Sequence, residues 1–517
     1  MFHKSPLILA IGLAIAAQAG AVITVTPGQG TTNINGTIES QEDFEKIFSS
    51  KPSGEDLHYT FEKNVFTTSD GGTGWPSDTD VIRNGGKITL ISKVDGDFIR
   101  STRVDLRNMS KLTIEKSSST GSIFKAENAS GGQIRISELS DGQKSRLDEE
   151  GLNIDYVNLE ELRLTNTGGS VFEANGGGSD PTHSRIALNA NSYILKSEAE
   201  NSATIDVRNY QNVDTDNEKP LKPGVKLGFA WDEHKWDDLL TNTKLTKVDI
   251  SSAKTAIYLN NTLMQTWATN VDITGDVELE NNAHAVFGAY SFSGEDDGLD
   301  DEPDSIPEGF FEADTYTSAE SLQSLKSSFA QKNGSWYNRT LSITGTDKSE
   351  GTLQINNSHV IAYAENISIK AGNAEAAAID LEGDSTAAFL SKTAMTVSGK
   401  TLIGAGATMG VHSEGSFNFD NQISNSGSLL IVAASMTGSG ENADVTTESG
   451  ATTTIKTSGT ATVGTVANNG GIFTMDAGKL VTTKALSLTQ GTNKLNLKGA
   501  EFGADVTLSG ANTKMSV

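Results

Sequence analysis

An apolar pair at two-residue spacing is followed, ten residues after its first member, by an aromatic, and this happens six times along the chain. The pairs are Ile88/Leu90, Leu162/Leu164, Val248/Ile250, Val277/Leu279, Leu353/Ile355 and Ile379/Leu381. Their aromatics are Phe98, Phe172, Tyr258, Phe287, Tyr363 and Phe389. A seventh copy, Leu112/Ile114 with Phe124, carries two extra residues between pair and ring. Strict alternation marks a strand with one buried face. A fixed gap to a second apolar position marks a second strand beyond a turn of set length. Repetition of that unit is the sequence form of a solenoid, in which each repeat buries its apolar face against its neighbours.

The spacing of short strands sets the expected coil. Leu112 to Ile134 is 22 residues, Leu162 to Ile186 is 24, Val248 to Val271 is 23 and Ile343 to Ile367 is 24. A coil of that size holds about three short strands with turns between them, which is a wide parallel β-helix and not a six-residue-period one. Asn166, Asn281 and Asn357 each stand four residues after the first apolar member of their unit. Asn at a repeated turn can ladder its amides from coil to coil, although Asn is also common in any turn.

The chain has 517 residues, more than one compact core requires, with 52 Gly, 9 Pro and 6% aromatics. A solenoid grows without that limit, because each coil touches only its neighbours. The N-terminus has the form of a secretory signal over residues 1–21. His3 and Lys4 precede an apolar run from Leu7 to Ala17, and Ala17-Gln18-Ala19 and Ala19-Gly20-Ala21 are small-residue cleavage sites. The run is short for a transmembrane span, so the chain is expected to be exported. It has no cysteine, which removes thiol nucleophiles, thiolate metal sites and disulfides. Asp plus Glu number 66 against 40 Lys plus Arg, a formal net charge of −26. Such a chain repels nucleic acid and anionic membranes, and the charge serves solubility outside the cell.

Residues 22–80 depart from the coil pattern and are expected to cap the solenoid. Val22-Ile23-Thr24-Val25 predicts a strand, and Ser40, Asp43, Phe44, Ile47 and Phe48 predict a short capped helix. Coils are expected over 81–517, with insertions at 209–245 and 291–339 and plainer Thr/Gly-rich units from 425. In the second insertion, Thr317 and Glu320 predict a capping box ahead of Leu322, Leu325 and Phe329. About 350 residues remain for coils, or roughly 15 turns and a rod of about 70 Å.

Few residue clusters carry chemistry. Trp231 and Trp236 flank Asp232, Glu233, Asp237 and Asp238. Indoles beside carboxylates suit sugar contact, with the acids as general acid and base or nucleophile if the chain is an enzyme. The plainer alternative is a surface helix packed on the coils. The acidic run containing Asp296, Asp297, Asp300 and Asp301 is a weak Ca²⁺ candidate. It lacks both the EF-hand order and the glycine-rich nonapeptide pattern, and acid runs are usually solvated loops. The histidines are scattered, with His284 and His359 beside Ala and Val near a turn. There is no HExxH, GxSxG or P-loop. No cofactor is implied.

With the signal segment, the missing cysteine, units such as Val277-Glu278-Leu279-Glu280-Asn281-Asn282 and the Thr/Gly/Asn-rich coils together, the chain resembles the passenger region of Gram-negative autotransporters and related β-helical surface adhesins. Asn33-Ile34-Asn35-Gly36 is faintly similar to a motif of two-partner secretion domains. The resemblance implies an all-β, right-handed, three-sheeted parallel β-helix displayed on or released from the cell surface. It also implies adhesion or surface structure without catalysis, partners among glycans or proteins of host or neighbouring cells, and an outer-membrane translocator. Autotransporters end in a membrane β-barrel, whereas Thr513-Lys514-Met515-Ser516-Val517 reads as mid-solenoid. The expectation is that the barrel follows in a longer chain or belongs to a separate protein. The alternative function is a secreted polysaccharide lyase or glycoside hydrolase on the same fold. A phage-like spike fits poorly with the signal segment.

Overall fold

Alternation does what the sequence pattern requires of it. In Lys111–Lys116, Leu112 and Ile114 are buried while Glu115 between rungs faces solvent. Lys87–Ser92 and Glu161–Asn166 repeat the pattern. The computed structural model describes residues 24–27, 32–35, 57–61, 66–67, 87–100, 103–107, 111–127, 133–137, 160–176, 184–188, 190–209, 225–229, 247–266, 268–288, 316–328, 330–331, 334–335, 338–509 and 512–517. These residues form a parallel β-helix whose strands pair rung on rung along three ladders.

The first ladder stacks Ile88, Leu112, Leu162, Tyr193, Val248, Val271, Leu341, Ile367, Met395, Phe417, Met436, Ala461, Leu480 and Ala500. The second stacks Ile99, Phe124, Phe172, Ile205, Ile257, Val277, Leu353, Ile379, Thr401, Ile423, Val445, Val466, Leu486 and Val506. The third runs from Arg103–Arg107 to Asn512–Ser516. With about 4.8 Å between rungs, roughly fifteen rungs make a rod of about 70 Å. The apolar columns meet inside as one continuous core. Burying one Leu, Ile or Phe there contributes about 1.5–3 kcal/mol.

The register corrects the spacing argument. Val248 does pair with Val271. Leu112 pairs with Leu162, and Ile134 belongs to a different ladder, where it pairs with Ile186. The 22- and 24-residue steps from Leu112 and Leu162 are therefore distances across one coil. Ile343 pairs with Ile369, and Ile367 with Leu341. The fixed aromatic offset likewise spans two different corners. Early copies step from the first ladder to the second, as Leu162 to Phe172, and later ones from the second to the third, as Ile379 to Phe389. Phe98, Phe124, Phe172, Phe287 and Phe389 enter the core, whereas Tyr258 and Tyr363 face outward.

The rungs begin earlier than the coil pattern suggested, and one strand falls inside the expected first insertion. Leu57–Phe61 already pairs in parallel with Lys87–Ser92, and Phe66–Thr67 with Ile99–Arg100. Ahead of them the hairpin of Thr24–Pro27 and Thr32–Asn35 is antiparallel and joins the first ladder through Thr32–Asn35. Inside the stretch 209–245, Val225–Phe229 is a regular third-ladder strand between Ser184–Leu188 and Leu263–Thr266. The helix expected from Ser40 to Phe48 lies outside the described residues.

The Asn positions do not form one amide ladder. Asn281 and Asn357 stack at one corner with Asn261 and Gly383, all four at positive φ (52°, 46°, 52° and 61°). Asn serves there because it tolerates the left-handed conformation that other side chains avoid. Asn166 is different: it is buried, and its amide donates to the carbonyls of Gly121, one rung back, and of Ser170 in its own turn. Lys116, its partner on the preceding rung, turns its ammonium to the carbonyl of Thr120 in the same way. Burial lowers the Lys116 pKa.

The second insertion supplies helix α1, Ala319–Ser328. Its cap is Ser318, not Thr317: the Ser318 hydroxyl accepts the Ser321 N–H at 3.0 Å, and its carbonyl accepts the Leu322 N–H. Leu322, Leu325 and Tyr316 pack on the outer face of the third sheet against Val286, Ile361, Tyr363, Ala388, Leu390 and Leu430. Gly410 lies beneath the helix. A Cβ there would stand 2.9 Å from the Leu322 side chain and 3.0 Å from the Tyr316 carbonyl, so glycine is what allows the close approach.

Candidate functional site

The outer face of the second sheet carries the densest polar constellation among the described residues. Its positions alternate with the core columns, so they follow from the strand period alone. One outward column runs Lys125, Glu173, Asp206, Tyr258, Glu278, Gln354 and Asp380. Beside it runs Arg208, Asn260, Glu280, Asn356 and Glu382. Carboxylates outnumber cations on this face.

The charges are tied to each other from rung to rung. Lys125 bonds Glu173 at 2.9 Å and lies 3.8 Å from Asp97. The Ser122 hydroxyl donates to Glu173 at 2.6 Å, and the Ser122 N–H donates to Asp97. Arg208 clamps Asp206 through two N–H groups at 2.5 and 2.8 Å, and its guanidinium lies 4.5 Å from the Tyr258 ring centre. The Tyr258 hydroxyl donates to Glu280 at 2.6 Å, and the Thr255 hydroxyl to Glu278 at 2.8 Å. Burial raises the Asp206 pKa more than Arg208 lowers it. Burial raises Glu278 and Asp380 as well, with the Glu382 charge adding to the effect on Asp380. Tyr258 is pushed up to about 12 by burial and by its bond to Glu280.

This arrangement offers a half-exposed polar ribbon along the rod. A glycosidase pair needs one carboxyl free to protonate a leaving oxygen and another free to attack or activate water. Asp206, Glu173, Glu278 and Glu280 instead accept hydrogen bonds from fixed neighbours. Among the described residues, no three or more His, Asp or Glu converge as a metal site. None of the described helices is long and apolar enough to cross a membrane.

A second cluster sits where α1 meets the third sheet. His284 and His359 occupy successive rungs with ring centres 4.8 Å apart and nearly parallel. The His359 Nδ1 lies 2.6 Å from the Thr386 hydroxyl. Burial drives both rings toward the neutral form: His284 falls well below the usual range, helped by its neighbour, and His359 falls to about 4.

The residues singled out in the sequence belong to the two insertions. Trp231, Asp232, Glu233, Trp236, Asp237 and Asp238, and Asp296, Asp297, Asp300 and Asp301, are all outside the described residues. Asp206, Arg208, Glu278 and Glu280 were missed because no motif announces them. The available signal was their place between core residues, as with Asp206 between Ile205 and Val207. Tyr258 was noticed as a recurrent aromatic, and the structure places it on the outward face. Compared with known proteins, the chain matches no family model, no curated protein and no solved structure.

Proposed function

We propose that this chain is an exported β-helical rod acting in adhesion or surface architecture, without catalysis. The observation that carries the reading is the state of the ribbon: its best-placed carboxylates are held by Lys125, Arg208, Thr255 and Tyr258. A continuous ladder of parallel rungs holds these groups at fixed spacing, which suits presentation of a surface. The secretory leader and the similarity in sequence style to autotransporter passengers support export to the cell surface or beyond. The partners this chemistry suits are glycans or proteins of other cells, since the net charge of −26 opposes nucleic acid.

The test uses beads coated with the purified chain on epithelial and bacterial cell layers, beside a panel of polysaccharides incubated with soluble chain. Saturable attachment, competed by soluble chain, with no new reducing ends or unsaturated sugars, is the expected result. Polysaccharide cleavage that disappears when Asp232, Glu233, Asp237 and Asp238 become Asn or Gln would establish the enzymatic alternative. Beads that fail to attach to any surface would remove adhesion.

A further inference from the structure

The corner between the first and second sheets holds a buried acid that the ribbon does not use. On the rung Asn270–Glu280 that corner is only Gly275 and Asp276, so the strand runs through it almost unbroken. On the next rung the corner is the longer turn 345–350, between Asn338–Thr344 and Gly351–Asn356. This turn leans back over its shorter neighbours. The Thr346 hydroxyl donates to the Ala253 carbonyl at 3.1 Å, Glu350 pairs with Lys254 at 2.9 Å, and Lys348 pairs with Glu200. Asn373, one rung further on, donates to the Ser349 carbonyl at 2.8 Å. The turn is thus strapped across the corners on both sides, with Asp276 beneath it.

Asp276 is completely buried, and neither carboxyl oxygen meets a donor in hydrogen-bond geometry. The Ser349 side chain and the Glu350 backbone, both on the turn, act on it as weak donors that favour the carboxylate. We propose that Asp276 is a proton-operated catch for the turn 345–350: as a neutral acid it allows the turn to close over the corner, and as a carboxylate it drives the turn off.

The physical reason is that burial costs an ionised carboxylate far more than a neutral acid, and the turn's two weak donors offset only part of that cost. The charged groups facing it do not remove that cost. Glu278 on its own strand repels the carboxylate, and Lys254 on the preceding rung is engaged by Glu350 of the turn. Burial raises the Asp276 pKa to about 6, Glu278 adds to the rise, and Lys254 and the turn's polar groups oppose it. The acid prefers its proton when the turn is closed, so closure is weakest above about pH 6 and strengthens as pH falls from there toward the ordinary carboxylate range. A shift of this size biases the closed-to-open ratio by up to about a hundredfold.

Amide hydrogen exchange of residues 345–352, corrected for the intrinsic rate at each pH, tests this in the full chain between pH 4 and 7. Protection is expected to fall tenfold or more across that range in the wild type, and to stay level in Asp276→Asn. Protection that is level in the wild type, or that falls equally in Asp276→Asn, overturns the proposal. If Asp276→Asn does not fold, the carboxyl ¹³C titration of wild-type Asp276 decides instead. A midpoint near 6 supports the catch, and one near 4 removes it. Adhesion does not enter these readouts, so the catch stands or falls apart from the proposed function.

Discussion

The middle rungs and the C-terminal rungs share one backbone plan and fill it differently. Between Lys247 and Phe419 the second ladder is lined by Ile257, Val277, Leu353, Ile379 and the buried Thr401, with Leu259, Leu279, Ile355, Leu381 and Ile403 in the adjacent inner column. From Asn425 that inner column becomes Asn425, Thr447 and Asn468 before returning to Leu488. Opposite it, the third ladder passes through Thr453, Phe473, Asn493 and Thr513. These polar groups find each other inside the rod. Asn425 donates to the Thr453 hydroxyl at 2.9 Å, Thr447 to Thr453 at 2.7 Å, Asn468 to Asn493 at 2.7 Å, and Asn493 to Thr513 at 3.0 Å. A buried polar seam therefore runs through the units the sequence made look plainest, with one amide-amide bond, Asn468 to Asn493, joining the second ladder to the third. In-register stacking brings Asn and Thr side chains of neighbouring columns within reach of one another inside the rod. A single buried Asn in an irregular core has no such guarantee.

The largest test of the contrast is Phe389→Ala in the apolar region. Phe389 is 1% exposed between Ala362 and Val411, and its loss is expected to cost about 3–5 kcal/mol by urea unfolding. Leu322→Ala should follow at about 2–4 kcal/mol. Because α1 covers the outside of the rungs, this loss should expose the helix to proteolysis before the core. A loss as large as that of Phe389→Ala, with no selective cleavage, would mean the helix and core unfold as one.

The stacked imidazoles come next. The folded-state pKa of His359 lies at about 4, below its unfolded value. Its contribution is therefore present above about pH 6.5 and lost as pH falls toward 4, up to about 3 kcal/mol. His359→Gln should flatten that part of the stability-against-pH curve, and an unchanged curve would show that the pair does not govern acid sensitivity.

In the polar seam, Asn468→Ala leaves Asn493 and the N–H groups of Gly470 and Gly471 without their partner. About 1–3 kcal/mol is expected. A cost matching Phe389→Ala would make the seam as important as the apolar core. The smallest effect should be at the exposed Lys479–Glu501 pair, 2.7 Å apart. Lys479→Met should leave the urea midpoint where it is, within error, and respond little to added salt.

Sequence alone determined the all-β repeat, its parallel stacking and the approximate number of rungs, because a two-residue period is a local property of the chain and each rung repeats it. It also foresaw a helix near 319–328, since caps and apolar spacing are local too. Outward positions of the ribbon were legible in principle, as the polar members of each alternating run. What the sequence left open was which strand lies above which, because three strands per coil have nearly the same pattern and several spacings fit more than one ladder. Tertiary structure decided that Leu112 sits beneath Leu162 and not Ile134, that Tyr363 lies under α1 and not in the core, and that Gly410 admits the helix. It also decided that Asp276, an ordinary acid in an alternating strand, ends up sealed beneath a turn some seventy residues away. Such contacts depend on register between distant segments, and no local period encodes register.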